Sequence, residues 1–223
     1  MSLESHIGSR ITRNAIMLYL RMAIAIIIGL YTSRIVLEQL GITDFGIYGV
    51  VGSIIALTEF INSALTNSFS RFFAYHIEQD NNYKHQVYGS AIIISLIAAF
   101  FIVILGETLG FWYFSNYLDI PSNRIEIAKF TYHCCVIGAS LRVMQLPFSS
   151  CLIANEKMVA FAYIEILNSA LRLGVAIFLM LSTFDKLYSY SILILAITAI
   201  IVVCYIYVQL SCQIYILLSK PIF

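Results

Sequence analysis

Apolar residues in this chain come in long blocks cut by short polar interruptions, a pattern unlike the strict alternation of a half-buried strand. Six blocks stand out, at residues 14–37, 45–74, 87–114, 125–153, 158–182 and 188–210. Each is long enough, at about 1.5 Å per helical residue, to cross about 30 Å of hydrocarbon, some with tilt. A β-barrel would show alternating segments of about ten residues instead. The interruptions carry loop chemistry. Gly41 is placed to stop the first helix, and Thr43 or Asp44 to cap the second. Residues 78–85 form the most polar segment, residues 118–123 include Pro121, and residues 155–157 and 184–186 read as tight hairpins. Connections this short force antiparallel neighbours. The pattern predicts an all-α, polytopic membrane protein, with residues 1–223 forming a single lobe of six transmembrane helices.

Composition excludes the main alternatives. Apolar residues make up 61% of the chain and charged residues 11%, against roughly 45–50% and about 25% in soluble domains. Such a chain cannot cover a globular core with a polar skin. Its 15 Phe and 15 Tyr argue equally against disorder. With 13 Lys+Arg against 12 Asp+Glu there is no basic surface to neutralise phosphates, so nucleic acid is excluded as a partner. Cys134, Cys135, Cys151, Cys204 and Cys212 lie in or beside apolar stretches without metal-ligand spacing and read as small core residues, so no metal is expected. Phosphate-binding glycine loops, zinc-protease and serine-hydrolase motifs are all missing, so neither an enzyme nor a cofactor is expected. Residues 1–13 are short and polar and the following apolar run is too long for a signal peptide, so the first helix is expected to be its own insertion signal.

Lys and Arg are distributed unevenly between the two ends. With the N-terminus in the cytoplasm, that side receives Arg10, Arg13, Arg71, Lys84, Lys157 and Lys220, and the opposite side Arg34, Arg124, Lys129 and Lys186. The bias predicts a multi-pass protein with a cytoplasmic N-terminus. Trp112, Tyr113 and Tyr117 suit either an aromatic belt at the outer end of the third span or ordinary packing.

The candidate chemistry is what interrupts the apolar spans. A charge at the bilayer centre costs about 2.5–3.5 kcal/mol on insertion scales, so it should face a cavity or a partner. In the second span Glu59, Asn62, Ser63, Thr66, Asn67 and Ser70 recur at three- and four-residue steps, which stacks them on one helical face. That stripe is either the wall of a water-filled cavity or a face bonded to a neighbouring helix. Glu165, Asn168 and Arg172 share a face of the fifth span, and Arg142, Gln145 and Ser149 a stripe of the fourth, where Pro147 is placed to kink the helix. Arg21 lies about two turns into the first span, where snorkelling explains it as well as a cavity does. Arg21, Arg142 and Arg172 against Glu59 and Glu165 leave one positive charge in excess. If the stripes share a cavity, it should favour an anion such as a pyrophosphate head group, which guanidinium binds with paired donors. Alternatively, the carboxylates pair with the arginines as structural glue. His133 reads as a hydrogen-bonded packing residue, and Gly46, Gly49 and Gly52 as a face for close helix approach.

The runs NAIMLYLR (14–21), LYTSRIVL (30–37) and LGITDFGIY (40–48) resemble the opening of Wzx-type polysaccharide flippases of the MOP (MATE-like) exporter superfamily. NSALTNSFSRFFA (62–74) is similar to that family's end of helix two, where an arginine, here Arg71, closes the polar stretch. Gln145-Leu146-Pro147 followed by IANEKM (153–158) is similar to its helix 4–5 hairpin. The resemblance implies a six-helix lobe normally joined to a second one. The whole would flip an undecaprenyl-pyrophosphate-linked oligosaccharide between leaflets by alternating access, for O-antigen, capsule or lipopolysaccharide biosynthesis. It implies a cationic cavity, which Arg142 and Arg172 match by location, and it gives Arg34 and Asp44 a place in a first-loop motif, as structural residues. The expected partners are the lipid-linked oligosaccharide, the bilayer, and a second lobe or a second copy, since the chain stops where a second lobe would begin. The competing expectations are a MATE-like cation-coupled exporter, which calls for an acidic cavity, and a non-transporting membrane fragment, which calls for dry, mutually packed polar faces.

Overall fold

The computed structural model describes residues 2–56, 58–76, 81–112, 116, 120–182 and 184–218, with side-chain surroundings given over 16–53, 56, 58–76, 86–108, 110–112, 116, 120–182 and 184–211. Among these residues the regular structure is entirely helical. The helices are α1 (Ser2–Ala56), α2 (Thr58–Tyr75), α3 (Asn81–Leu105), α4 (Ile125–Ala154), α5 (Met158–Leu181) and α6 (Lys186–Leu218). A π-helical turn, Gly106–Gly110, extends α3, and a 3-10 turn, Ser122–Arg124, leads into α4. By length and composition five helical stretches can cross a membrane: Ile16–Ser53, Gln86–Thr108, Ser122–Ala154, Met158–Leu181 and Lys186–Ser211. The chain is a multi-pass membrane protein.

Contacts between helices fix their directions. Arg21 lies over the Phe161 ring at 5.0 Å, and Gln39 accepts a 3.0 Å hydrogen bond from Lys186. The first arm of α1 therefore runs from the start of α5 to the start of α6. Asp44 then pairs with Arg124 just before α4, while Thr66 of α2 accepts from Ser150 at 3.4 Å near the end of α4. The chain has reversed between Gln39 and Asp44, and α1 is two antiparallel arms. Gly41 is the one non-helical residue inside it, with φ 76° and ψ 171°. The seven-residue loop expected over 38–44 is thus a single glycine in a backbone state open almost only to glycine. Asp44, expected as a cap, is buried and spends one carboxylate oxygen on Arg124, while its Oδ1 has no hydrogen-bond partner.

Two clusters of buried apolar side chains hold the bundle. One gathers Val36, Val51, Tyr132, Leu152, Leu179 and Tyr205 from α1, α4, α5 and α6; the other gathers Phe69, Phe73, Ala99, Ile102 and Val143 from α2, α3 and α4. Among the described residues α4 is the helix with fully buried members in both, so it is the central post, and it runs unbroken through the buried Pro147 to Ala154. The opposite surfaces are apolar and bare, as a lipid-facing wall requires: Tyr19, Ile26, Ile27 and Leu30 on α1, Phe100 and Phe101 on α3, and Leu181 on α5 are all more than half exposed.

One sequence reading of glycine is corrected. A Cβ at Gly46, Gly49 or Gly52 would meet nothing within 4 Å, so these residues mark no close helix approach. The tight contact is at Gly106, where a Cβ would lie 2.9 Å from Val136 Cγ1 of α4. Its carbonyl accepts a 2.6 Å hydrogen bond from the Tyr132 hydroxyl, joining the π-helical turn to the central post. The third helix starts at Asn81 rather than residue 87, extending into the segment read as the most polar loop. Tyr113 and Tyr117 lie outside the described residues; Trp112 is 57% exposed.

Because a Cβ at Gly41 meets no neighbour, Gly41→Ala isolates the backbone term. It should cost about 1–3 kcal/mol in denaturant unfolding of the detergent-solubilised protein. Gly41→Asn should cost as much, since asparagine eases only the left-handed helical region. Recovery of wild-type stability by asparagine would contradict this account of the hairpin.

Candidate functional site

The polar stripes converge. A hollow of about 470 Å³ is lined by Glu59, Asn62, Ser63, Thr66 and Asn67 of α2, Arg142, Gln145 and Leu146 of α4, Glu165, Asn168 and Arg172 of α5, and Thr198 and Ile201 of α6. Helical spacing explains the convergence: residues three and four apart stand on one face, and Leu146 and Ile201 join that wall to the apolar clusters. Thr198 was missed by sequence reasoning. A single threonine in an apolar helix gives no periodic signal, and its hydroxyl is hydrogen-bonded to the Ile194 carbonyl at 2.9 Å. Ser149, assigned to the stripe of the fourth span, is buried and bonded to Leu146 O at 3.1 Å, away from the hollow.

Arg21 is the exception among the predicted cavity residues. It lies over Phe161, with a buried Nε that has no hydrogen-bond partner, and does not line the hollow. The expected excess of positive charge on the cavity wall is corrected accordingly: two arginines face two glutamates. These four charges are unequally committed. Arg142 donates to Glu59 Oε1 at 3.1 Å. Glu165 Oε1 accepts from the buried Tyr205 hydroxyl at 2.8 Å. Arg172 donates from Nε to the neutral amide oxygen of Asn168 at 3.2 Å, and forms no ion pair among the described residues. Arg172 is therefore the cation whose terminal nitrogens are left to whatever enters the hollow.

The Arg142–Glu59 bridge is soft. Its side chains are 39% and 57% exposed, and an exposed single-contact pair contributes only about 0–1 kcal/mol. At the end of the bundle where α4 begins, the ionic contacts are firmer. Arg124 pairs with Asp44 at 3.2 Å, where the carboxylate is 7% exposed, and also with Asp185. Asp185 Oδ1 in turn accepts from the backbone N–H groups of Leu187 and Tyr188, capping α6. One guanidinium thus ties the α1 hairpin, the entry to α4 and the start of α6 together.

The remaining singled-out residues lie elsewhere. Arg34 pairs with Glu38 at 3.1 Å on the exposed surface, and Arg71 is exposed near the end of α2. His133 does have a polar partner, Glu107 Oε1 at 2.9 Å, and its ring stacks on Phe111. Cys134, Cys135, Cys151 and Cys204 form no disulfide among the described residues, and Cys212 lies outside the residues with described side chains. Among the described residues no three His, Cys, Asp or Glu gather into a metal-binding group.

The bundle encloses a polar, charge-lined hollow in mid-span. The comparison with solved structures identifies the fold. The chain is similar, with a TM-score of 0.74 and 18% identity, to the outward-facing conformation of a multidrug resistance MATE family transporter of the MOP superfamily. The match covers 89% of this chain and 44% of that one, so the chain spans less than half the length of the transporter it resembles. The fold is that of half a MATE transporter. No family model and no curated protein matches the sequence.

The two kinds of ion pair predict different mutational costs. Glu59→Gln should change stability by less than about 1 kcal/mol. Arg124→Ala leaves the Asp44 carboxylate buried without its partner and should cost about 3–5 kcal/mol. Unfolding midpoints of the two variants in the same detergent check this; equal losses would contradict the ranking.

Proposed function

We propose that this chain forms one lobe of a flippase that moves an undecaprenyl-pyrophosphate-linked oligosaccharide across the cytoplasmic membrane for surface polysaccharide biosynthesis. The carrying observation is Arg172, an arginine deep in α5 that faces the hollow with no carboxylate bound to it. A pyrophosphate offers paired acceptor oxygens to a planar guanidinium, and its contact with Arg172 displaces no carboxylate from that residue. The amides and hydroxyls of Asn62, Thr66, Asn67, Gln145 and Asn168 supply donors and acceptors of the kind that hydroxyl-rich sugars require. The resemblance of the first two spans to Wzx-type flippases supports the same substrate class. Alternating access needs an opposing wall, which a second lobe or a second copy of this chain would supply. The N-terminus is placed in the cytoplasm by the Lys and Arg bias.

A second reading, a cation-coupled exporter of small organic cations, has one observation in its favour: with Arg21 outside the hollow the wall is not basic by formal count. Binding separates the two. The purified chain in nanodiscs should bind inorganic pyrophosphate, and Arg172→Ala should weaken that binding at least about tenfold, the loss expected for charge-assisted hydrogen bonds. Tetraphenylphosphonium should not bind. Tetraphenylphosphonium binding lost in Glu59→Gln or Glu165→Gln, with pyrophosphate ignored, would favour the exporter and overturn the flippase.

A further inference from the structure

A second hollow, of about 230 Å³, adjoins the first. Its wall includes Tyr48 and Gly52 of α1, Cys135 and Gly138 of α4, and Ser191 and Leu195 of α6. The two hollows share Glu59, Arg142 and Thr198. Along α4 and α6 the residues unique to the first hollow lie on one side of the shared ones and those unique to the second on the other, toward the Asp44–Arg124–Asp185 end; likewise Asn62 to Asn67 of α2 follow Glu59, and Tyr48, Gly52 and Ala56 of α1 precede it. The Glu59–Arg142 bridge is therefore a partition between two stacked chambers.

The chambers differ in chemistry. Apart from the shared bridge, the second has no charged residue in its wall. Its hydroxyls are engaged: Ser191 donates to Thr131 Oγ1 at 2.9 Å and to Leu187 O at 2.8 Å, and Thr198 donates to Ile194 O. What remains is a small-residue wall with one aromatic face, Tyr48, held edge-on against Tyr190 at 4.9 Å. The space is below the roughly 300 Å³ at which pockets take drug-sized ligands, so it suits a single ring and not a chain of them. The glycines create it, since a Cβ at Gly52 meets nothing within 4 Å and one at Gly138 meets only Leu195 Cδ1, at 3.9 Å.

We infer that this second chamber is a subsite for an uncharged ring attached directly to the anionic group that Arg172 binds. The inference rests on the anion reading of the first hollow. The partition suits such a ligand because the bridge is a single exposed contact, and an anion arriving beside Arg142 competes with Glu59 for the same guanidinium. Freed of Glu59, Arg142 swings toward the anion, and the ring enters past it.

Calorimetry on the full chain in nanodiscs, with inorganic phosphate and glucose 1-phosphate as probes, tests this. The wild type should bind glucose 1-phosphate at least about tenfold more tightly than phosphate. Gly52→Leu, which fills the chamber, should erase that difference and leave phosphate affinity unchanged. Gly138→Ala is the milder variant should Gly52→Leu not fold, and it should reduce the difference. Phosphate bound with no preference for the sugar ester, or a preference that survives both fillings, overturns the subsite while sparing the anion site. Loss of all phosphate binding in the wild type overturns both.

Discussion

A polar group inside hydrocarbon has to meet either a partner or water, and the whole arrangement of this bundle answers that constraint. Glu59, Arg142, Glu165 and Arg172 come from three helices and lie far apart in sequence, yet they surround one hollow. Each helix can bring its charge there only by turning its polar stripe inward, and that rotation decides which apolar residues face lipid. The central position of α4 follows. It carries Arg142 and Gln145 on one face and Tyr132, Val136 and Val143 on others, so it must touch both apolar clusters and the hollow at once.

The same constraint separates a stiff end from a soft middle. Around Arg124, two carboxylates, an α6 cap and the Gln39–Lys186 bond hold three chain segments together. Gly41 permits the sharp reversal that puts Asp44 within reach of Arg124. At mid-span a single half-exposed bridge and an arginine bonded to a neutral amide leave side chains that can exchange partners cheaply. The first kind of contact keeps helix register, and the second leaves the side chains of the hollow free to rearrange.

What the sequence made legible was whatever repeats along a single helix. The apolar blocks predicted the helices, and the three- and four-residue steps of Glu59 to Asn67 and of Glu165 to Arg172 predicted the faces that meet. What it hid depends on distance between helices. Arg21 carries the same charge argument as Arg142, but its position on α1 turns it to the Phe161 ring, and no spacing rule within α1 reveals that. Gly46, Gly49 and Gly52 have the spacing of a packing face and pack against nothing close, whereas the isolated Gly106 is the one pressed against Val136. The Glu59–Arg142 pair joins residues 83 positions apart, a partnership that only the fold can assign.

Counting formal charges is a poor guide to what this hollow attracts. Two arginines and two glutamates sum to zero, but electrostatic capture depends on which groups still have hydrogen-bonding capacity to offer. Glu165 has an oxygen committed to Tyr205, and Glu59 an oxygen committed to Arg142. Among the described residues Arg172 is bonded only through Nε, to the neutral Asn168 oxygen, and both terminal nitrogens remain. Among the described residues each glutamate keeps its second oxygen, Oε2, so the hollow offers acceptors as well as the Arg172 donors. Which of these a ligand meets depends on where along the hollow it sits, and a single Arg–Glu bridge with half-exposed side chains ties one charge of each sign across it.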